Sequence, residues 1–419
     1  MSKAMSAVAP EKTVSVAPSP ADTAIWVGPE DTTEDAESAP PAGRFERCGA
    51  AGALLRLLRL AALTDVPGRS HGHRLAHGLL LIGLDTAAMV ILVRRNVQMF
   101  IQSLADGKPI TEIAMYTGYL GVIFVTMWAS VALAVVAGRR RHGQVMVTSE
   151  RVLARAAALS SFRTSNKTLF RRNSFLLAAV VIVNAYTVCC TFFLFFNVDN
   201  ISHASTRDVI HFLSLTFIDC ANLLVPIKFA LPAIELLAGY RAVADELNDI
   251  CQAKRLPSIS ELRRLRAIYV ELSETFSSLT DGMSAELIFS MFYGILASIS
   301  VSLVAITGLL LSNNAWIIFV VMYSLGASLA VLLPCELAQR ALNAAHRTHG
   351  LLLRPPLQLP ALQHELGLFR ESVGRDLASL GDLGLFRLQR SSVLSIVATI
   401  ATYIIVMVQF LVTELAATA

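Results

Sequence analysis

Between Ser391 and Thr413 the chain runs 23 residues without a charge, yet Thr399, Thr402, Tyr403 and Gln409 set polar groups into it at helical spacing. Hydroxyl and amide oxygens carried on an apolar helix make and break no bonds. They hold water, or replace part of the hydration shell of an ion. Lipid offers them no partner, so in a membrane they face protein or water. The stretch is therefore expected to line something wet. Thr399, Thr402, Val406, Phe410 and Thr413 fall on one stripe at steps of three and four, with Gln409 at its edge. The competing reading is an ordinary packing helix whose threonines bond back to the carbonyl four residues earlier.

Other residues able to do chemistry lie in apolar surroundings. Asp85, Asp219, Lys228 and Glu235 are ionisable groups inside hydrophobic runs, where a charge is costly without a task or a partner. Asp219 is the foremost candidate to meet a ligand. Lys228 and Glu235, seven residues apart, share a helical face; Lys228 is expected to snorkel or to pair with another buried group. Asp85 is expected to cap or pair within the bundle. His71, His73 and His77 lack a fourth ligand nearby and read as a solvated patch rather than a metal site. The six cysteines form no CxxC pair and read as small hydrophobes. No nucleophile elbow, phosphate loop or paired-carboxylate motif is present, so neither an enzyme nor a cofactor is expected.

The elements that carry these residues follow from composition. Of 419 residues, 54% are hydrophobic and only 16% charged, against about 25% charged in soluble proteins; the mean hydropathy is +0.58. This is an all-α polytopic membrane protein. Seven apolar segments are expected near 77–97, 113–137, 174–196, 209–238, 285–311, 316–338 and 391–413, the fourth interrupted by Pro226, Lys228 and Pro232. Residues 1–43 read as a disordered tail. Residues 44–76 read as an amphipathic juxtamembrane segment with Arg56 and Arg59 on one face. Two connections, 239–284 and 361–383, repeat apolar residues at steps of three and four and should pack together below the membrane. The near-heptad spacing of the second suits self-association, and 339–390 as a whole is expected to act as an anchor. Internal repeats are not evident.

Charge fixes the expected orientation. Counted from Arg44 over the connections and span ends, 28 Lys and Arg fall on one side and 4, with Arg94 and Arg95 at the end of the first segment among them, on the other, which places the N-terminus in the cytoplasm and the C-terminus outside. A G-protein-coupled receptor has the opposite orientation. Asn200-Ile-Ser202 falls in an expected outer loop and is the expected glycosylation site, whereas Asn166 should stay bare.

This order of features, ending in Thr402-Tyr403, five apolar residues and Gln409-Phe410, resembles the insect gustatory receptors. The upstream run Gly384-Leu385-Phe386-Arg387-Leu388 is similar to that family's approach to the last span. The resemblance covers roughly residues 50–419, with its sharp motif in the last ~30. It implies a tastant-gated, non-selective cation channel in the plasma membrane. Four subunits, alike or mixed with other gustatory receptor subunits, would surround one pore lined by the last helix. Thr402, Val406, Gln409 and Phe410 would then be the pore and gate residues, with Tyr403 packing within the motif. Val406 and Phe410 would form the apolar constriction, and Gln409 would offer amide oxygens to a dehydrating cation.

A tastant would enter the outer half of each subunit, where Tyr116, Tyr119, Asn184, Tyr186, His211, Asp219, Trp316 and Tyr323 supply aromatic faces and polar tips. Small-molecule tastant and membrane lipid are the expected partners, nucleic acid is not, and the tastant itself is not legible. Two alternatives stay open: an odorant-receptor-type channel subunit, and a secondary transporter using the buried charges.

Overall fold

The computed structural model describes residues 50–64, 71–107, 119–195, 205–253, 257–310, 315–354 and 360–418. The expected tail 1–43 and the sequon at Asn200 lie outside them. The described residues are almost wholly helical. They form α1 (Ala50–Leu60), α2 (His71–Ala105), α3 (Tyr119–Val136), α4 (Gly138–Ala156), α5 (Phe162–Phe195), α6 (Thr206–Gln252), α7 (Ile259–Leu310), α8 (Ala315–Leu352), α9 (Gln363–Ser379) and α10 (Arg390–Thr418). Helices α2, α5, α6, α7, α8 and α10 are each long and apolar enough to cross a bilayer. The pair α3–α4, bent by 56° at its junction, is likewise long and apolar enough when taken together, which brings the candidate spans among the described residues to seven if it crosses as one.

The connection 239–284 is made by continuations of the two spans it joins, whereas 361–383 carries the separate helix α9. Helix α6 runs 47 residues and α7 runs 52, or about 70 and 78 Å at 1.5 Å per residue. Each is more than twice the roughly 30 Å of a hydrocarbon core. Their protruding halves form a column on the side where α6 ends and α7 begins.

Nor do Pro226 and Pro232 interrupt α6, which is unbroken through both. A proline deprives the carbonyl four residues earlier of its N–H donor, so Pro232 leaves the Lys228 carbonyl open. The Nε2 of His142, a buried residue of α4, donates to that carbonyl at 2.9 Å. Because a carbonyl only accepts, Nε2 carries the proton.

Two apolar clusters fill the bundle. The smaller joins Ala88 and Leu92 of α2 with Met127 of α3, Ile218 of α6, Tyr293 of α7 and Ala327 of α8. The larger runs from the lower spans through the protruding column. Helix α1, expected at the membrane surface, instead seals Leu54 and Leu58 against the bundle by packing on α5 and α6. In α9, Leu366, Phe369 and Val373 are buried by α7 and α8 of the same chain. The ring of Phe369 lies against Tyr269, which meets Tyr240 edge to face with ring centres 5.5 Å apart. Arg263 and Arg266 of α7 grip Glu365 from opposite oxygens. The Arg263 hydrogen bond holds that carboxyl below its ordinary range. The near-heptad face is thus consumed inside the protomer and is not left free for another subunit.

Leu366→Asp or Phe369→Asp should therefore unfold the protomer, since an unpaired buried charge costs on the order of 3–5 kcal/mol. Size-exclusion chromatography should show aggregate in place of the wild-type peak. A monodisperse, folded species of lower mass would return this face to subunit assembly.

Candidate functional site

Helix α10 stands apart from the bundle. Only one edge of it, including Val393 and Ile396, packs against α7 and α8, and no residue in its apolar span is buried. The stripe read from the sequence, Thr399, Thr402, Val406, Gln409, Phe410 and Thr413, is exposed along its whole length. Phe410 is 66% exposed and Val406 39%. Tyr403, expected to pack within the motif, is 57% exposed on the protomer.

The threonines behave as the competing reading held, without removing the stripe's polarity. Thr399, Thr402 and Thr413 donate to the carbonyls of Ser395, Ala398 and Gln409 at 2.9, 2.9 and 2.8 Å. Each hydroxyl proton is thereby committed to the helix's own backbone. What the threonines still direct outward is acceptor oxygen, the type of group that suits a cation, and the Gln409 amide adds an oxygen acceptor beside its two N–H donors.

The base of α10 is fixed by the turn before it. Gly381 and Gly384 take φ of 77° and 83°, a left-handed conformation that favours glycine. The Gly384 N–H donates to Asp382 at 2.9 Å. Leu388 inserts into the larger core while its N–H reaches the Gly381 carbonyl at 2.7 Å. Arg390 then clamps Glu336 of α8 through two bonds of 2.9 Å. Leu388 is therefore the buried anchor of the Gly384–Leu388 turn, whose Leu385 is exposed, and from it an exposed helix rises. Beside it, Met291, Phe292 and Ile295 of α7 line a cavity of about 440 Å³ with Phe386 and Ser391.

The expected ligand residues are only partly brought together. Tyr116 lies outside the described residues; Tyr119, Trp316 and Tyr323 are helical in backbone. Asn184 spends its amide on the Val180 carbonyl of its own helix at 2.8 Å. Tyr186 is half-buried on α5. His211 and Asp219 are buried on one face of α6, about 12 Å apart along the axis. His211 sits among Arg95, Arg207 and Asp208. Asp219 lies in the electrostatic reach of Tyr293 on α7, which the sequence reading missed. Asp85, on α2, is buried, and neither of its oxygens has a hydrogen-bond partner among the described residues.

Lys228 does not snorkel. It is fully buried, and its ammonium donates to both oxygens of Glu286 on α7 at 2.9 and 2.8 Å and to the Ala134 carbonyl at 3.2 Å. The last of these bonds falls in the final turn of α3, where the helix dipole favours a cation. Gly138 opens α4 at this point because a Cβ there would lie 2.1 Å from Glu286 Oε1 and 2.6 Å from Lys228 Nζ. Glu235, buried on the same face of α6, is not the partner of Lys228 in this pair. Glu286 escaped notice because it stands at the margin of an apolar run, where an acid looks like a span end. Among the described residues no cluster of metal-ligating side chains forms.

The model of the 7tm chemosensory receptors matches residues 52–414. The chain belongs to that family. It is a non-enzymatic, multi-pass membrane receptor of the insect chemoreceptor superfamily. The chain is also similar to two structures of the olfactory receptor OR5 from Machilis hrabei. The complex with eugenol is 14% identical, has a TM-score of 0.66, and is matched over 86% of this chain and 97% of that one. The second structure is 13% identical, with a TM-score of 0.65 and coverage of 86% and 100%. At these identities the likeness concerns the fold. No protein of curated function matches the chain in sequence. Within the family fold, Lys228–Glu286 is a fully buried ion pair, and α10 is a helix that buries no residue of its apolar span in the protomer.

Lys228→Met should strand the Glu286 carboxylate and cost on the order of 3–5 kcal/mol, whereas Lys228→Met with Glu286→Leu should recover most of that loss. Thermal unfolding of the detergent-purified receptor reads both. A double variant no more stable than the single one would show that the pair does not set this stability.

Proposed function

We propose that this receptor is one subunit of a tastant-gated, non-selective cation channel of the gustatory type. Four subunits would enclose a pore lined by their α10 helices. The observation that carries the reading is that α10, which has a mean hydropathy of 2.2 over its span, buries none of it in the protomer. Its exposed stripe also pairs outward acceptor oxygens with the apolar side chains of Val406 and Phe410. Four such stripes would place a dewetting constriction next to rings of oxygen. The Thr402-Tyr403…Gln409-Phe410 ending supports a gustatory over an olfactory identity.

In this reading the N-terminus is cytoplasmic and the C-terminus extracellular, as the 28-to-4 charge bias supports. The column made by α6, α7 and α9 then stands in the cytoplasm, and the subunit sits in the plasma membrane. The tastant occupies the outer half of the bundle near His211, Asp219 and Tyr186, with Tyr116, Tyr119, Asn184, Trp316 and Tyr323 as further candidates. A receptor of this fold has been seen with eugenol, which supports a small organic ligand. Partner subunits are either identical chains or other gustatory receptors.

Whole-cell and single-channel recording tests the pore. Val406→Ser should wet the constriction and raise the ligand-free current. Gln409→Ala should alter permeability ratios while leaving ligand sensitivity largely intact. Gln409→Lys should abolish cation flow, because four positive charges would stand within a few ångströms of the permeating ion. Unchanged permeability ratios across a well-expressed series would remove α10 from the pore.

Terminal epitope tags test the topology. In unpermeabilised cells only the C-terminal tag should stain, and Asn200→Gln should abolish any glycan mobility shift. Staining of an N-terminal tag would overturn the orientation.

A further inference from the structure

Three helices bring arginines to one place at the membrane boundary. Arg172 comes from α5, Arg241 from α6, and Arg340 and Arg347 from α8; the three helices pack against one another. Arg241 lies close enough to Arg172, Arg340 and Arg347 for mutual repulsion, and Arg172 is repelled by Arg340 as well. The acids nearby are few and already engaged. Asp245, the acid that faces Arg241, is held by Arg347 at 2.9 Å. Glu336 is shared between Arg340 at 2.7 Å and Arg390 at 2.9 Å. Arg172 makes no hydrogen bond or ion pair among the described residues. Both Arg172 and Arg241 are half-buried, so their repulsion is screened less than it would be between fully exposed groups.

Depth is set by the helices themselves. The apolar runs 174–196 and 391–413 begin just after Arg172 and Arg390, and the runs 209–238 and 316–338 end just before Arg241 and Arg340. One turn beyond Arg172, the apolar side chain of Phe175 is 75% exposed on the protomer surface. The cluster therefore lies at headgroup depth. Guanidinium forks fit phosphate oxygens two at a time and carry a charge that cannot be lost. Half-buried Arg172 and Arg241, set beside the exposed and Glu336-paired Arg340 on a third helix, match a headgroup bearing more than one phosphate, since each phosphate can bridge two guanidiniums.

We propose that Arg172, Arg241 and Arg340 form a binding site for a polyphosphorylated lipid headgroup, of the phosphoinositide class, in the inner leaflet. The leaflet assignment rests on the orientation proposed above, which the epitope tags test separately. A headgroup there also competes for Arg340 and leaves Glu336 to Arg390. Lipid binding would thus tighten the clamp at the foot of α10.

The test uses full-length receptor in nanodiscs of phosphatidylcholine with and without a few per cent phosphatidylinositol bisphosphate, with retained lipid measured by native mass spectrometry. Wild type should retain the phosphoinositide in preference to phosphatidylcholine. Arg172→Gln with Arg241→Gln should reduce retention about tenfold, since each surface arginine contributes modestly to attraction of an anionic lipid. Relief of like-charge repulsion means this pair should fold at least as well as wild type, checked by its elution profile. Arg172→Lys with Arg241→Lys should keep part of the binding. Arg140→Gln with Arg141→Gln removes the same charge from an exposed stretch of α4 and should leave retention within about twofold. Equal losses in the two Gln pairs, or no preference in wild type, would overturn the site. Displacement by soluble inositol trisphosphate at concentrations matching the lipid would overturn the lipid as its occupant.

Discussion

Lys228 carries its ammonium group where solvent does not reach, and the surrounding helices are arranged to satisfy it. A buried charge must be paired and fully hydrogen-bonded to be tolerable. Glu286 supplies the countercharge from α7, the last turn of α3 supplies a carbonyl, and Gly138 supplies the missing Cβ that lets the groups meet. On its main chain, the Lys228 carbonyl, orphaned by Pro232, is taken by His142 of α4. The side chain and main chain of a single residue thereby pin α3, α4, α6 and α7 together at the bend of the second span. The angle at which α4 leaves the bundle follows from these contacts.

The fold was legible where the signal is additive and obscure where it is pairwise. Long apolar runs identify the spans, and the periodic leucines of 239–284 and 361–383 identify helices with one buried face. What those faces bury was not legible. The α9 stripe has the spacing of a self-associating helix, and only the three-dimensional arrangement shows Phe369 against Tyr269 of the same chain. Likewise, two prolines and a lysine in one span read as a break. The compensating donor lies 86 residues away on another helix, and no local pattern announces it.

For the candidate site the balance was similar. The stripe on α10 followed from spacing alone, and its exposure agrees with a helix whose neighbour is not within the protomer. The ligand residues were chosen by type and expected depth, and these are weak criteria. Asn184 satisfied the depth criterion yet bonds back to its own helix, while Tyr293 falls in the inner half of its expected segment, 285–311, and so failed the depth criterion although it is buried in the electrostatic reach of Asp219. Residue type says that a group can bind; the neighbours decide whether it is free to do so.

Continuity of α6 through its two prolines has a mechanical consequence. Lys228 stands nearly at the midpoint between Thr206 and Gln252, leaving arms of roughly 35 Å on either side. A stiff rod held at its centre by an ion pair and a cross-helix hydrogen bond acts as a seesaw. Any sideways displacement at the end carrying His211 and Asp219 returns with opposite sign and similar size at the far end, where α6 packs on α8. A soft joint at the prolines would have dissipated that motion; the intact rod transmits it.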